Sequence, residues 1–348
     1  MASQQEKPLV SIICLTYNHE RFIAQAIEGF LFQKTSFYFE IIIHDDCSTD
    51  KTREVIQPYV EKFPNLYRLI YQDINQYSLG KKIIPLILPY CRGRYIALCE
   101  GDDYWIDPHK LQKQVDFLET NQDFNISFHR VKELKESGSE ELSNLNSSDK
   151  EEVYTIEDLA IRNFIHTPSI VFRNIFSSVG FPKWFNESPV GDYVLHMLNA
   201  RHGKIKYFPE PMAVYRIHSG GVWSSLTRTK VLEKWAKVLL LLILEFNSNA
   251  KVQEELLKQL AGIVWESSVY FKQDLMSTSI KNNLKNSELK VLIEEILNKS
   301  THSYDELNVQ LRAFEEQQLA NRNLKNSLEY KIGNYIIKPL KYLKDVIN

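Results

Sequence analysis

Arg94-Tyr95-Ile96-Ala97-Leu98-Cys99-Glu100-Gly101-Asp102-Asp103 is the stretch that decides the fold. An apolar run, Tyr95 to Cys99, leads straight into carboxylates at Glu100, Asp102 and Asp103. Such a run reads as a strand buried on both faces of a sheet. Open α/β sheets bind ligands beyond the carboxyl ends of their strands. Carboxylates crowded at such an end repel one another and sit comfortably around Mg²⁺ or Mn²⁺, often shared with a phosphate. The same residues also suit a polar turn between strand and helix, because Asp is a common turn residue.

Working outward, the same texture recurs at Leu9–Leu15, Glu40–His44, Leu66–Tyr71 and Phe124–Phe128. Helical spacing separates these runs. Phe22, Ile23, Ala26, Ile27, Phe30 and Leu31 form one apolar stripe, with Asn18 or His19 as the expected cap. Thr52 to Phe63 forms a second, in which Pro58 predicts a kink or early break. Gly80 to Tyr90 reads as a helix interrupted by Pro85 and Pro89, and Asp107-Pro108 as the start of another. Alternating strands and helices predict an α/β fold with a mostly parallel sheet flanked by helices. Residues 132–152, rich in Glu, Ser, Asn and Lys, read as a mobile surface loop. Thr155 to Asp158 opens a further helix, and Ile170–Phe172 and Ile205–Phe208 read as short strands with a helix from about Gly191 to His202 between them. From Leu226 onward the pattern is helical, so two domains are expected: residues 1–225 and an all-helical 226–348.

The 348 residues are 44% hydrophobic and carry a net charge of −2, which excludes the global basic field of a nucleic-acid binder. Met1 to Lys7 is polar and has no leader-like texture, and the apolar run Val238–Leu244 is far short of the ~20 residues that cross a bilayer. A cytoplasmic setting is expected. The four cysteines form no CxxC pair and read as reduced thiols. Ile332, Ile336, Leu340, Leu343 and Ile347 share one face of a terminal helix, 331–348, with a net charge of +3. Such a helix suits an anionic membrane surface or a dock on the protein's own core.

Polar clusters fall at the expected strand and helix ends: Thr16-Tyr17-Asn18-x-Glu20, Asp45-Asp46-Cys47-Ser48-Thr49-Asp50, Glu100-x-Asp102-Asp103, Gly191-Asp192, and Tyr215 to Gly221. VSIICLTYNHERFIAQAI, EIIIHDDCSTDKT and GRYIALCEGDDYWIDPHKL resemble, in order, the opening strand–turn–helix, the EIIIVDDGSTD pattern and the DxD segment of the family 2 glycosyltransferases. GDYVLHMLNARHGKI and YRIHSGGVW resemble that family's acceptor-side base motif and its C-terminal histidine. The resemblance spans roughly residues 8–225.

What it implies is a GT-A (Rossmann-like) fold. The implied activity is inverting, metal-dependent hexosyl or N-acetylhexosaminyl transfer. The sugar would pass from a nucleotide-sugar donor, by default a UDP-sugar, to a hydroxyl of a glycan or lipid-linked acceptor. That chemistry belongs to bacterial surface-polysaccharide synthesis, at the inner face of the cell membrane. Matched by motif, Asp192 is the general base. Thr16, Tyr17, Asn18, Glu20, Asp45, Asp46, Glu100 and Asp102 fall on the donor side, with Asp46 on the base and Asp45 shaping its turn. Asp103, as principal ligand, with Asp102 and His218 would hold a divalent cation, Mn²⁺ or Mg²⁺. Three residues depart from the pattern: Glu100 replaces an Asp, Gly191 stands where an acid is frequent, and Cys47 replaces a Gly. Trp105, Trp184 and Trp223 are candidates for sugar stacking or for core packing. Homo-oligomerisation is left open. The rival reading is a non-catalytic nucleotide-sugar-binding or scaffolding protein that acts through its helical tail. The turn LTYNHERF after the first strand has no glycine, which disfavours a nucleotidyltransferase, and no G-x-G-x-x-G follows any strand, which removes a dinucleotide oxidoreductase.

Overall fold

In this computed structural model, residues 7–221 and 226–266 are described. The apolar runs become strands and the periodic stripes become helices. In chain order they are β1 (Val10–Thr16), α1 (Ile23–Leu31), β2 (Phe39–Asp45), α2 (Thr52–Lys62), β3 (Tyr67–Tyr71), α3 (Ile83–Ile87), β4 (Tyr95–Leu98), β5 (Tyr104–Trp105), α4 (Lys110–Thr120) and β6 (Phe124–Lys135). There follow β7 (Glu140–Leu142), β8 (Glu152–Tyr154), α5 (Ile156–Ile161), β9 (Val171–Arg173), α6 (Phe176–Val179), α7 (Asp192–Ala200), β10 (Lys204–Ile217), α8 (Arg228–Glu245) and α9 (Ala250–Glu266).

The strands form one sheet in the order β3-β2-β1-β4-β9-β6-β10-β5, with β7 on β6 and β8 on β10. The parallel pairing read from the sequence holds for β3, β2, β1 and β4, and for β6 with β10. β9 runs antiparallel between β4 and β6, and β5 runs antiparallel on β10, so the whole sheet is mixed. Two antiparallel steps restore direction, so β6 and β10 point the same way as β4. The carboxyl ends of β1, β2, β4 and β10 therefore share one edge.

Burial explains why the elements stay. Ile23, Ala26, Ile27 and Phe30, spaced at i, i+3, i+4 and i+7, put one face of α1 fully inside. Phe30 meets Trp105 edge to face at 4.8 Å. Each such side chain contributes about 1.5–3 kcal/mol on full burial.

Several expectations are corrected. α2 continues past Pro58 to Lys62. A Pro there removes one helical donor, but packing of the apolar face outweighs it. α4 starts two residues beyond Pro108, because Asp107 accepts the His109 N–H at 2.7 Å and makes a separate turn first. The expected loop 132–152 is partly a hairpin: β6 continues to Lys135, and Lys132, Glu133 and Leu134 pair with Leu142, Glu141 and Glu140. Its charged side chains suit a solvent-facing extension of a sheet, which composition alone cannot tell from a loop. β10 also outruns the short strand expected at Ile205–Phe208. Pro209 and Pro211 lack N–H donors, and the ladder absorbs them as a register shift between Phe208 and Ala213. Past that shift, β10 delivers Tyr215, Arg216 and Ile217 to the shared edge.

The described residues divide into two compact units, one of residues 7–156, 163–186 and 191–221, the other of 157–162, 187–190 and 226–266. In the second, α8 buries Leu232, Ala236, Leu239 and Ile243, and α9 buries Val252, Leu256 and Leu260. The buried Gln253 amide donates to the Ile243 carbonyl at 3.1 Å. The basic helix expected at 331–348 and Trp223 lie outside the described residues. Among the described residues, no helix is long and apolar enough to cross a membrane.

Candidate active site

The turns after β1 and β2 interlock. Asn18 takes a left-handed conformation, φ +56°, which Asn tolerates. Its N–H donates to Ser48 Oγ at 2.9 Å, and its Oδ1 accepts the Thr49 N–H at 2.7 Å. The Glu20 N–H donates to Asp50 Oδ2, and Glu20 Oε2 accepts the Lys51 N–H at 2.9 Å. Asn18 and Glu20, expected on the donor, thus spend these polar atoms on the loop after β2. Asp45, fully buried, accepts from the Arg53 guanidinium and the Ser48 N–H, while its Oδ2 has no partner. Asp46 accepts two backbone N–H groups, from Gln76 at 2.7 Å and Tyr77 at 2.9 Å, and so pins the loop after β3. Tyr17 is exposed, and the buried Thr16 Oγ1 has no hydrogen-bond partner.

Next along the edge comes the acidic turn after β4. The Gly101 N–H donates to the Leu15 carbonyl at 2.7 Å, tying the turn to β1. Glu100, Asp102 and Asp103 each offer an oxygen, all within 4.8 Å of one another. Asp102 Oδ2 lies 3.0 Å from His218 Nε2 and 3.7 Å from His19 Nε2. Asp103 Oδ1 accepts the Arg216 N–H at 2.8 Å, while its buried Oδ2 has no partner. The Arg216 guanidinium lies over Tyr104 and Phe22, 4.4 and 5.0 Å from the ring centres, and donates to the Asp102 carbonyl.

These contacts set the charges. Burial first, then the Asp102 and Asp192 carboxylates, push Glu100 up to about 8. Burial, Asp102 and Glu100 hold Asp103 well above the ordinary carboxylate range. Burial pushes Asp102 the same way, but the His218 hydrogen bond and the nearby His19 prevail and lower it. The Asp102 hydrogen bond in turn raises His218, against the opposing effect of burial.

Asp192 is the first residue of α7. Burial raises its pKa; the Tyr193 backbone N–H and the positive charge of Lys82 act the other way. The Tyr215 hydroxyl is pushed up by burial and then by the charges of Glu100, Asp103, Asp102 and Asp192. The Tyr215 ring packs on His166 at 4.9 Å, and His166 Nε2 is 2.9 Å from Ser143 Oγ.

The residues fit a divalent cation. Three carboxylates and an imidazole form an oxygen-rich donor set of the kind Mn²⁺ and Mg²⁺ take. Asp103 Oδ2 is an unpartnered oxygen, and burial followed by the neighbouring carboxylates raises Glu100 and Asp103, a balance that a bound cation would reverse.

Of the residues expected from the sequence, Glu100, Asp102, Asp103, Asp192 and His218 come together, with Thr16 behind Gly101. Asn18, Glu20, Asp45 and Asp46 stand one layer back. Sequence reasoning missed His19, which it read only as a helix cap; the helix is capped instead by Phe22 and Ile23 N–H groups on the His19 carbonyl. It left Arg216 unassigned and missed Tyr215, although both sit beside His218 in the same motif. Trp105 is buried and its Nε1 donates to the Pro168 carbonyl at 2.9 Å, which places it in the core.

A family model described as glycosyl transferase family 2 matches residues 11–180. An uncharacterised protein of Mycobacterium tuberculosis is 40% identical over 217 residues, 62% of this chain and 61% of that protein. The chain therefore spans about three-fifths of the length of these curated relatives. The Escherichia coli UDP-Glc:alpha-D-GlcNAc-diphosphoundecaprenol beta-1,3-glucosyltransferase WfaP is 36% identical over 116 residues, 33% of this chain and 43% of that protein. Among solved structures, S. aureus TarS 1–349 in complex with UDP-GlcNAc shares the fold with a TM-score of 0.60 at 16% identity, covering 85% of this chain and 91% of that one.

Proposed function

The chain belongs to the family 2 glycosyltransferases, of GT-A fold, and from that premise we propose that it is an inverting, metal-dependent transferase. It would move a hexosyl or N-acetylhexosaminyl unit from a UDP-sugar to a hydroxyl of a glycan or lipid-linked acceptor. The observation that carries this reading is the cluster of Glu100, Asp102, Asp103 and His218 at the carboxyl ends of the strands, with Asp192 near enough for its charge to raise Glu100. The donor class is suggested by TarS, solved with UDP-GlcNAc, and by WfaP, named for UDP-Glc and a diphosphoundecaprenol acceptor. A setting at the inner face of a membrane, in surface-polysaccharide synthesis, is part of the same proposal.

The proposed roles are these. Thr16 and Tyr17 line the nucleoside, on turns that Asn18, Glu20 and Asp45 hold rigid and beside the loop that Asp46 pins. Asp103, through its unpartnered Oδ2, would hold the cation together with Asp102 and His218. When bound, that cation supplies positive charge against the diphosphate as its bond to the sugar breaks. Arg216 fixes the acidic turn from the far side. Asp192 accepts the proton of the acceptor hydroxyl as that oxygen bonds to the anomeric carbon and the nucleoside diphosphate departs from the opposite face. Burial suits Asp192 to this task, because it raises the proton affinity of the carboxylate, while the Tyr193 backbone N–H and the charge of Lys82 oppose that rise.

The test is release of nucleoside diphosphate from UDP-, GDP- and TDP-sugars with Mn²⁺, in wild type and Asp192→Asn. The proposal expects turnover of at least one donor, lost by about 10²–10⁴-fold in the variant. Absence of turnover with every donor, beside intact nucleotide binding, would favour the non-catalytic reading.

A further inference from the structure

The loop that Asp46 pins carries a surface the proposed chemistry does not use. Between residues 74 and 90, five large apolar side chains face solvent: Ile74 is 60% exposed, Tyr77 46%, Leu79 57%, Leu86 38% and Tyr90 44%. Solvent-facing apolar residues occur singly on any protein, but this many within so short a stretch mark an interaction surface. The segment 74–92 also carries Lys81, Lys82 and Arg92 and contains no Asp or Glu. Arg92 pairs with Glu40, and Lys81 donates to Gln76 Oε1 within the loop itself. An exposed apolar group with excess positive charge and no acid complements an anionic lipid surface: the apolar side chains enter the headgroup boundary while the lysines meet the phosphates.

The loop is also fastened to the site. Both Asp46 oxygens hold its backbone at Gln76 and Tyr77, and its far end carries Lys82, whose charge acts on Asp192. The side chain of Lys82 reaches within 4 Å of where a Cβ on Gly191 would stand. A bilayer against this loop would therefore present its headgroups beside the same edge of the sheet as the acidic cluster.

We propose that residues 74–90 form a monotopic contact with an anionic bilayer, which brings the active edge to the membrane surface. The value of that contact to catalysis rests on the lipid-linked acceptor proposed above; the contact itself does not. Co-sedimentation of the full chain with vesicles tests it, using phosphatidylcholine alone and phosphatidylcholine with phosphatidylglycerol. Three proteins are compared: wild type, Ile74→Ser/Leu79→Ser/Lys81→Glu, and Lys338→Glu/Lys341→Glu/Lys344→Glu in the terminal segment. The proposal expects wild type to sediment with the anionic vesicles and to be released by salt. The loop variant should lose partitioning by about tenfold or more. Its substituted side chains are all exposed, and its unchanged melting temperature and donor hydrolysis would establish that the fold and the site survive. The proposal is overturned if the loop variant sediments like wild type, or if only the terminal variant is lost. It is equally overturned if wild type ignores both vesicles, which would leave the patch to a protein partner. Because vesicle binding is read without turnover, its failure stays distinct from failure of the transferase reading.

Discussion

Gly101→Ala is the substitution whose effect the structure lets one work out most fully. A Cβ on Gly101 would stand 2.8 Å from Thr16 Oγ1, 2.9 Å from Thr16 Cβ and 3.0 Å from His19 Nδ1. Rotating the hydroxyl relieves only the first of these. Thr16 Cβ is fixed by a backbone paired in register with Asp45 on β2. Restoring an ordinary contact of about 3.5 Å therefore requires the acidic turn to retreat by about half an ångström. Overpacking of this kind costs about 1–3 kcal/mol. In a unit of this size each kcal/mol lowers the melting temperature by about 2–4 °C. The larger effect falls on function, because the retreating turn carries Glu100 and Asp102 and breaks the 2.7 Å hydrogen bond to Leu15. Misplacement approaching 1 Å costs on the order of 10²-fold in rate. The assays are differential scanning fluorimetry and donor turnover with Mn²⁺. A control is Gly262→Ala in α9, where an added Cβ meets nothing within 4 Å, expected to gain about 0.5–1 kcal/mol. If Gly101→Ala melts and turns over donor as wild type does, the packing of the turn against Thr16 and the placement argument built on it are both wrong.

Other consequences are as open to measurement. The pH–rate profile of wild type should show an acid limb above the ordinary Asp range, because burial raises Asp192 and only the ionised carboxylate accepts a proton; in Asp192→Asn that limb should vanish, and a limb that persists unchanged assigns it to another group. Lys110 is fully buried, its ammonium on Gln114 Oε1 and 4.2 Å from the Trp105 ring centre, and burial lowers it to about 7. Its folded pKa lies below its unfolded one, so the unfolded chain binds more protons between about pH 7 and 10.5 and stability rises with pH across that window. From pH 7 to 8.5 wild type should gain about 1.5 kcal/mol in urea melts relative to Lys110→Met; parallel curves for the two proteins would refute the lowered value. Cys47 sits at φ +67°, so Cys47→Gly should raise stability by about 0.5–1 kcal/mol despite losing the thiol contact to the Asp73 carbonyl, and a loss of stability would show that this contact outweighs the strain.

Much of the fold is written locally, and the exceptions have local causes. The strands β1, β2 and β4 are continuous apolar runs, and nothing else accommodates such runs as well as a sheet covered on both faces. Cys47, which replaces a Gly of the family pattern, has a left-handed backbone that the sequence reading did not anticipate. The antiparallel insertion of β9 between β4 and β6 was not legible, because a three-residue strand carries no direction in its side chains. The full length of β10 was hidden by Pro209 and Pro211, which end a strand locally but not where a register shift absorbs them. In the site, the carboxylates and His218 announced themselves by clustering at strand ends. Their supports did not. That Asp46 would hold a loop, that Arg216 would lie between two rings, and that His19 would approach Asp102 are long-range facts, set by how the strand ends meet.

The central claim is a nucleotide site completed by a divalent cation at Asp102, Asp103 and His218. Its most direct measurement is the thermal shift produced by UDP with and without Mn²⁺, in wild type and in Asp102→Ala. A ligand that binds only the folded state raises its stability by mass action, about 2.7 kcal/mol at a hundredfold excess over Kd. The account predicts a shift for wild type that needs both UDP and Mn²⁺ and is absent in Asp102→Ala. A shift of equal size in Asp102→Ala, or one in wild type indifferent to the metal, would contradict it.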